Sequence, residues 1–238
     1  MRILDIGCGP GTISSSLGDL VGPSGCVIGL DASAAVVKQA SKSSTSKRAN
    51  VTFQVGDAAH LTFEDSSFDV VHAHQVLQHV SDPTAILREM RRVVKKQGGI
   101  ISLREGDLPG SLLYPDPENR YAIFTDIYNR TARASGADPQ LGRKLHVHLR
   151  KAGYSDEEVN LKIAALSYGG NKREESKWWG DSWADRCLES GFHDSAIEGG
   201  HATEETLQKL SNMWREWGDN DDALWVIFQS EAICVLSE

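Results

Sequence analysis

The feature that most constrains this sequence is residues 5–11 (DIGCGPG), where three glycines occupy alternate positions directly after an apolar run. Alternate glycines let the backbone turn sharply off a strand and approach a ligand at points where a Cβ would collide. A helix that follows such a turn points its free amide groups and the positive end of its dipole at the ligand. The stretch therefore predicts a strand, a nucleotide-binding turn and a helix.

Strand-like and helix-like segments alternate along the chain. The predicted strands are Ile3–Ile6, Cys26–Leu30, Val51–Val55, Phe68–Ala73, Ile100–Leu103, Glu158–Tyr168 and Trp225–Leu236. The predicted helices are Thr12–Leu20, Ala34–Ala40, Pro83–Val94, Tyr121–Ser135, Lys172–Ser190 and Glu204–Trp217. This order predicts an α/β fold with a doubly wound, mostly parallel, seven-stranded sheet that binds ligands at the carboxyl ends of its strands. The helices of the second half are predicted to be insertions over that ligand edge.

The chain length of 238 residues fits one domain, and the sequence has no internal repeat and no long linker. We predict a single domain 1–238, with a cofactor-binding half at 1–105 and substrate-side helices and final strands at 106–238. The polar stretch 41–50 is predicted to be a solvated connection. All six tryptophans follow residue 170. The apolar stripe from Leu207 to Trp217 is predicted to be core, whereas one of Trp178 and Trp179 is predicted to meet substrate or a partner subunit.

A net charge of −8, without a run of like charges, argues against nucleic acid or an anionic membrane as partner and favours a small molecule. His146 and His148 would face the same side of a strand and resemble a metal pair, but no third ligand is evident, so we predict no metal. No signal peptide or long apolar stretch is present, and the cysteines lack metal-site spacing, which predicts a reduced, cytoplasmic protein. The scattered cysteines are Cys8, Cys26, Cys187 and Cys234.

The glycine spacing alone leaves two cofactors open. A dinucleotide fingerprint counted from Gly7 needs a third glycine where this chain has Thr12. Asp31, at the end of the second predicted strand, is placed to accept hydrogen bonds from both ribose hydroxyls, a feature of both NAD and S-adenosylmethionine sites. Asp57, at the end of the third predicted strand, is suited to accept a hydrogen bond from an exocyclic amine.

Taken in order, ILDIGCGPG, GLD, GDA and FDVVHAHQVLQHVSDP resemble the class I S-adenosylmethionine-dependent methyltransferases, specifically the quinone-biosynthesis (UbiE-like) branch. The resemblance covers residues 1–105 and extends more weakly to the tryptophan-rich second half. It implies a Rossmann-like methyltransferase fold, S-adenosylmethionine as cofactor and S-adenosylhomocysteine as product. The implied reaction is an in-line displacement of the methyl group by a small, apolar, natural-product-like or quinone-like acceptor. An NAD-linked dehydrogenase is a distant alternative.

The resemblance also implies which residues bind the cofactor. The methionine end is assigned to Asp5 and the glycine turn, the ribose to Asp31, the adenine to Asp57 and Ala58, and the methyl-sulfonium region to the segment from His74 to Gln78. The full predicted set is Asp5, Gly7, Cys8, Gly9, Gly11, Asp31, Ala32, Asp57, Ala58, His74 and Gln75.

A base is needed only if the acceptor must lose a proton. His74 and His79, after the fourth predicted strand, are candidates because histidine titrates near neutrality. His79 also fits a structural part, capping the helix that follows. Glu105 and Asp107 come after the fifth predicted strand and so fall at the ligand edge. The predicted catalytic set is His79, His74 and Glu105.

The sequence departs from the family that it resembles at its start. Members carry a few tens of residues, forming one or two helices, before the first strand, where this chain has Met1 and Arg2. Three explanations stay open: a truncated or alternatively started product, a partner such as a second copy covering the site, or a protein that no longer methylates. The corresponding alternative functions are a cyclase or isomerase on the same fold and a non-catalytic cofactor-binding subunit.

Overall fold

The computed structural model describes residues 1–42 and 48–237. Of the predicted polar connection 41–50, residues 43–47 lie outside the described part. The strands are β1 (Arg2–Ile6), β2 (Cys26–Asp31), β3 (Val51–Val55), β4 (Val70–His74), β5 (Ile100–Tyr114), β6 (Val159–Gly169) and β7 (Leu224–Val235). The helices are α1 (Thr12–Val21), α2 (Ala34–Lys42), α3 (Pro83–Val93), α4 (Arg120–Ala134), α5 (Leu141–Lys151), α6 (Arg173–Leu188), α7 (Gly191–Glu198) and α8 (Glu204–Gly218).

The strands form one seven-stranded sheet in the order β3-β2-β1-β4-β5-β7-β6. The β2–β3, β1–β2, β1–β4 and β4–β5 pairs are all parallel. Strand order reverses beside β1, between β2 and β4, which is where doubly wound sheets bind ligands. The predicted α/β fold with a mostly parallel seven-stranded sheet is confirmed.

Helix α3 shows how local sequence and burial define an element in this fold. Asp82 caps its N-terminus by accepting a hydrogen bond from the Ala85 amide at 2.9 Å, and Pro83 occupies the first turn. The apolar face of α3 is almost fully buried, and each such side chain contributes about 1.5–3 kcal/mol. These side chains are Ile86, Leu87, Met90 and Val93.

The chain divides into two compact units. The first comprises Met1–Glu105, Arg143–Lys162 and Ser230–Glu238, and the second comprises Gly106–Gly142 and Ile163–Gln229. The first unit contains β1 to β4 and the helices α1, α2 and α3. The single-domain organisation and the placement of the later helices over the ligand edge stay predictions.

The second unit has a core of aromatic rings. The predicted stripe on α8 is confirmed as core, because Leu207, Leu210, Met213, Trp214 and Trp217 are each at most 3% exposed. Trp178 and Trp179 differ in environment, as expected for adjacent residues of one helix. Trp178 is 59% exposed, whereas Trp179 packs against the core.

Three elements differ from the prediction. His146 and His148 lie on helix α5 and not on a strand, so these residues, two apart, point in different directions. Strand β5 continues to Tyr114, so Glu105 and Asp107 lie inside the strand and not after it. Helix α7 was not predicted as a separate element; it begins where the Ser190 side chain accepts hydrogen bonds from the Phe192 and His193 amides.

Candidate cofactor-binding site

A cleft of 280 Å³ opens in the first unit at the carboxyl ends of the central strands. Each of β1, β2, β3 and β4 contributes its last residues or the segment that follows it, so the cleft is built by the parallel strand order. The lining residues are Ile6, Gly7, Leu30, Asp31, Ala32, Gly56, Asp57, Ala58, Gln75, Val76, His79, Val80 and Ile86.

The glycine turn between β1 and α1 is required by backbone conformation and by space. Gly7, Gly9 and Gly11 all have positive φ, at 63°, 54° and 83°. A Cβ added at Gly7 would lie 2.4 Å from Val76 Cγ2, and one at Gly11 would lie 2.5 Å from the Phe53 ring. A Cβ at Gly9 would meet no atom of the described chain within 4 Å. Gly9 therefore presents bare backbone to open space, and its amide donates to Asp31, a residue of the cleft wall.

S-adenosylhomocysteine is the product that the resemblance implies for this cleft. On that basis, replacing Gly9 with alanine is expected to weaken its binding at least about tenfold, because the new methyl group fills that space. The strained left-handed conformation adds a stability cost of about 1–2 kcal/mol. Isothermal titration calorimetry measures the affinity. Gly98→Ala is the matched control, since Gly98 has a φ of 70° with open space around it but lies outside the cleft. Equal affinities of the two variants for S-adenosylhomocysteine would show that Gly9 does not lie against the bound ligand.

Asp31 and Asp57 stand where the sequence places them, at the ends of β2 and β3. The Asp31 carboxylate accepts hydrogen bonds from the Gly9 amide (3.1 Å) and the Ser33 amide (2.9 Å), so it connects the glycine turn to β2. Asp57 is exposed, and one oxygen pairs with His60 Nδ1 at 2.8 Å. The hydrogen bond from His60 lowers the pKa of Asp57, so its carboxylate stays ionised and able to accept from an amine.

Asp5 is predicted to bind the methionine end of the cofactor, but in the structure its carboxylate is bonded within the protein. It is 2% exposed, and its oxygens accept from Ser14 Oγ at 2.5 Å and pair with His72 Nδ1 at 2.7 Å. The carboxylate therefore joins β1 to α1 and β4 and supports the turn from behind. Cys8 is also buried, which together with the Asp5 and Asp31 charges raises the pKa of its thiol to about 12. Cys8 contributes to the turn through its backbone, whose amide donates to the Leu30 carbonyl.

The two predicted histidine bases lie in different places. His79 lines the cleft at the end of a short 3-10 turn, Leu77–His79. Its ring reaches the surface, but the atoms packed around it partly desolvate the ring and lower its pKa. Asp82, not His79, caps α3. His74 ends β4; burial lowers its pKa, and the Arg104 charge acts in the same direction. Both rings are therefore neutral near pH 7 and able to accept a proton.

Glu105 does not fit the part of a catalytic base. It is fully buried, and its carboxylate oxygens accept hydrogen bonds from the amides of Val76, Leu77 and Gln78 at 3.0, 2.8 and 3.2 Å. A group enclosed in this way has no approach to a substrate atom. Glu105 is therefore not the catalytic base that the sequence predicts.

The structure brings seven of the predicted site residues to the cleft wall and shows others that were not predicted. Those that line it as predicted are Gly7, Asp31, Ala32, Asp57, Ala58, Gln75 and His79. Val76 and Val80 were missed as individual contacts, although they lie in the quoted motif after β4. Ile86 belongs to α3, and no sequence signal distinguishes it from the other buried residues of that helix.

Within residues 1–42 and 48–237, no group of three or more histidine, cysteine, aspartate or glutamate side chains is arranged to hold a metal ion. None of the helices described there has the length and apolar character needed to span a membrane.

The strand order, the glycine turn and the carboxylates at the ends of neighbouring strands together define a class I methyltransferase. The chain belongs to the family described as "Methyltransferase domain", whose model matches residues 1–146. It is 33% identical over 227 residues to an uncharacterised methyltransferase of Schizosaccharomyces pombe, covering 92% of this chain and 78% of the relative. It is also 38% identical over 126 residues to a demethylmenaquinone methyltransferase of Lactobacillus johnsonii, covering 52% of each chain.

Solved structures agree on the fold. A Bacillus halodurans protein solved as a candidate methyltransferase superposes with a TM-score of 0.63 at 16% identity, covering 100% of this chain and 93% of that one. The [4+2]-cyclase SpnF superposes with a TM-score of 0.53 at 20% identity, covering 96% and 74%. The resemblance to S-adenosylmethionine-dependent methyltransferases of the UbiE-like type is thus confirmed, and the chain is an enzyme of that class.

Proposed function

We propose that this chain transfers a methyl group from S-adenosylmethionine to a small, apolar acceptor of the quinone or natural-product class. The observation that carries the proposal is the cleft, where the backbone of Gly7 and the carboxylates of Asp31 and Asp57 lie at three successive strand ends. Gly9 belongs to the same turn, and its amide donates to the Asp31 carboxylate. The named activity of the Lactobacillus johnsonii relative supports the choice of acceptor.

The residues present fit the cofactor. Gly9 presents backbone to open space, and α1 begins at Thr12 directly after this turn without a side-chain cap, so the positive end of its dipole lies at the turn. In this proposal Asp31 accepts from the ribose hydroxyls, and Asp57 with Ala58 holds the adenine. Gln75 lines the same cleft, and in this proposal it lies in the methyl-sulfonium region.

When bound, S-adenosylmethionine supplies a methyl group on a positively charged sulfur, which departs as a neutral thioether. The protein therefore has to align the reactants and exclude water, and needs no strong nucleophile of its own. His79 is the base that we propose where the acceptor must lose a proton, since it lines the cleft and its lowered pKa keeps the ring neutral. His74 is the second candidate. The homodimer and the cytoplasmic location stay predictions.

Mass spectrometry after incubation with S-adenosylmethionine and a short-chain demethylmenaquinone tests the proposal. We expect a product that has gained one methyl group and stoichiometric S-adenosylhomocysteine, both strongly reduced for Asp31→Ala. A product of unchanged mass would instead indicate a cyclase or isomerase. Cofactor binding without any product, across a panel of apolar phenolic acceptors, would indicate a non-catalytic cofactor-binding subunit.

A further inference from the structure

Glu105 is a buried carboxylate without a charged partner among the described residues. It is the last residue of the first segment of unit 1, on β5, and it is 0% exposed. Its hydrogen bonds come from three consecutive backbone amides, at Val76, Leu77 and Gln78. Burying a charged or polar group is costly unless its hydrogen bonds are made, so this arrangement needs a reason.

The three amides belong to the wall of the cofactor cleft. Gln75, Val76 and His79 line the cleft, and the 3-10 turn Leu77–His79 begins where Glu105 binds. The Glu105 carboxylate accepts the hydrogen bonds of the Val76, Leu77 and Gln78 amides, which have no acceptor within such a short turn. Glu105 is fully buried and does not line the cleft, so it holds the backbone of the wall from outside the cleft.

The held segment is strained and has a second attachment to the same strand. Gln75 has a φ of 59°, a left-handed backbone conformation that a non-glycine residue keeps only where the neighbouring structure enforces it. Its amide donates to the Arg104 carbonyl at 2.8 Å, directly before Glu105 on β5. Two consecutive residues of β5 thus hold Gln75 to Gln78 in place.

The wall in turn contacts the glycine turn. Val76 Cγ2 lies so close to Gly7 that a Cβ at Gly7 would approach it to 2.4 Å. A shift of Val76 would therefore change the cleft on both sides, at the glycine turn and at the wall after β4. The position of Val76 depends directly on the Glu105 carboxylate through its amide.

We propose that Glu105 is a positioning residue of the cofactor cleft, whose carboxylate fixes the backbone from Gln75 to His79 in the shape that binds S-adenosylmethionine. This inference rests on the proposed function. It differs from a base in that Glu105 touches neither cofactor nor acceptor. Burial raises the pKa of Glu105 to about 7 against the lowering effect of the three amides, so binding is measured at about pH 8, with the carboxylate ionised.

The test compares Glu105→Gln, Glu105→Ala and the control Glu158→Gln by calorimetric titration with S-adenosylhomocysteine, well below each variant's Tm. Glutamine retains one oxygen for the Val76 and Leu77 amides but turns a donor toward the Gln78 amide, so we expect about tenfold weaker binding. Alanine removes both acceptor oxygens, and with them all three hydrogen bonds, so it should weaken binding further. Glu158 is a matched control, because it is 6% exposed and bonded to Arg91 and the Ser155 amide in the same unit, outside the cleft.

Glu158→Gln should lower Tm yet keep its affinity within about twofold. If Glu105→Gln binds as tightly as the wild type, or if Glu158→Gln loses as much affinity, Glu105 has no special part in the cleft. If Glu105→Ala does not fold, the affinity of Glu105→Gln alone tests the proposal. Failure of the wild type itself to bind S-adenosylhomocysteine would refute the proposed function, which is a different outcome.

Discussion

Replacing Asp31 with alanine is expected to lower the affinity for S-adenosylhomocysteine at least about 100-fold. Each hydrogen bond from a ribose hydroxyl to a carboxylate contributes about 1.5–3 kcal/mol, and every 1.4 kcal/mol is a factor of about ten. The substitution also removes the acceptor for the Gly9 and Ser33 amides, at 3.1 and 2.9 Å, so the glycine turn loses its attachment to β2. Calorimetric titration measures the loss.

Asp31→Asn separates the two contributions, because it keeps the size of the side chain but removes its charge and one acceptor. Its affinity should fall between those of the wild type and Asp31→Ala. Asp19→Ala is the control for removing a carboxylate of the same unit, since Asp19 pairs with Arg48 away from the cleft. An Asp31→Ala protein that is folded and binds as the wild type does would exclude this cleft as the cofactor site.

Replacing Trp214 with alanine is expected to lower the free energy of unfolding by about 3–5 kcal/mol, the range for truncating a buried aromatic side chain. Trp214 is 0% exposed and lies at the centre of the aromatic core of the second unit. The loss includes edge and stacking contacts in addition to buried area. Ring centroids lie 5.2–5.9 Å from that of Trp214 for Tyr121, Phe124, Trp183, Trp217 and Trp225.

Trp178→Ala provides a control of the same residue type in the same unit. Trp178 is 59% exposed, with its ring against Trp179 at 4.8 Å, so its truncation should cost at most about 1 kcal/mol. Urea unfolding followed by circular dichroism gives both values. A loss for Trp214→Ala no larger than that for Trp178→Ala would show that the aromatic core does not stabilise this unit.

The parts of the site that depend on local order were predictable from sequence. The glycine turn after β1 and the carboxylates after β2 and β3 follow from the chemistry of short segments, and parallel strands bring their carboxyl ends together. The α8 stripe was predictable for the same reason, because a period of 3.6 residues places Leu207, Leu210 and Trp214 on one face.

Helix α5 shows where a local pattern misled. The alternation His146-Val-His148 suggested a strand, yet Leu141, Leu145 and Leu149 recur at intervals of four and are at most 1% exposed. The longer period reflects the buried face of a helix, and burial of that face decides the conformation. The length of β5 was missed because Gly106 and Pro109 suggest a break that the folded chain does not make.

The sequence predicts that the carboxylates of Asp5 and Glu105 face a ligand, whereas in the folded protein both are buried. Alternation along β5 places Glu105 on the same face as Ile101 and Leu103, which are buried, and this signal was available in the sequence. Asp5 carried no comparable signal, because a central strand is covered on both faces. Only the folded chain shows that Ser14 and His72 occupy its oxygens.

The sequence by itself determined the order of the seven strands, the glycine turn and the position of the acids at the strand ends, since each depends on residues close together in the chain. The tertiary structure decided which acids face the cleft and which turn inward. Asp31 is the last residue of β2 and Asp57 follows β3, and both line the cleft. Asp5 and Glu105 lie within strands, where the packing of distant segments supplies hydrogen-bond donors that no short stretch of sequence contains.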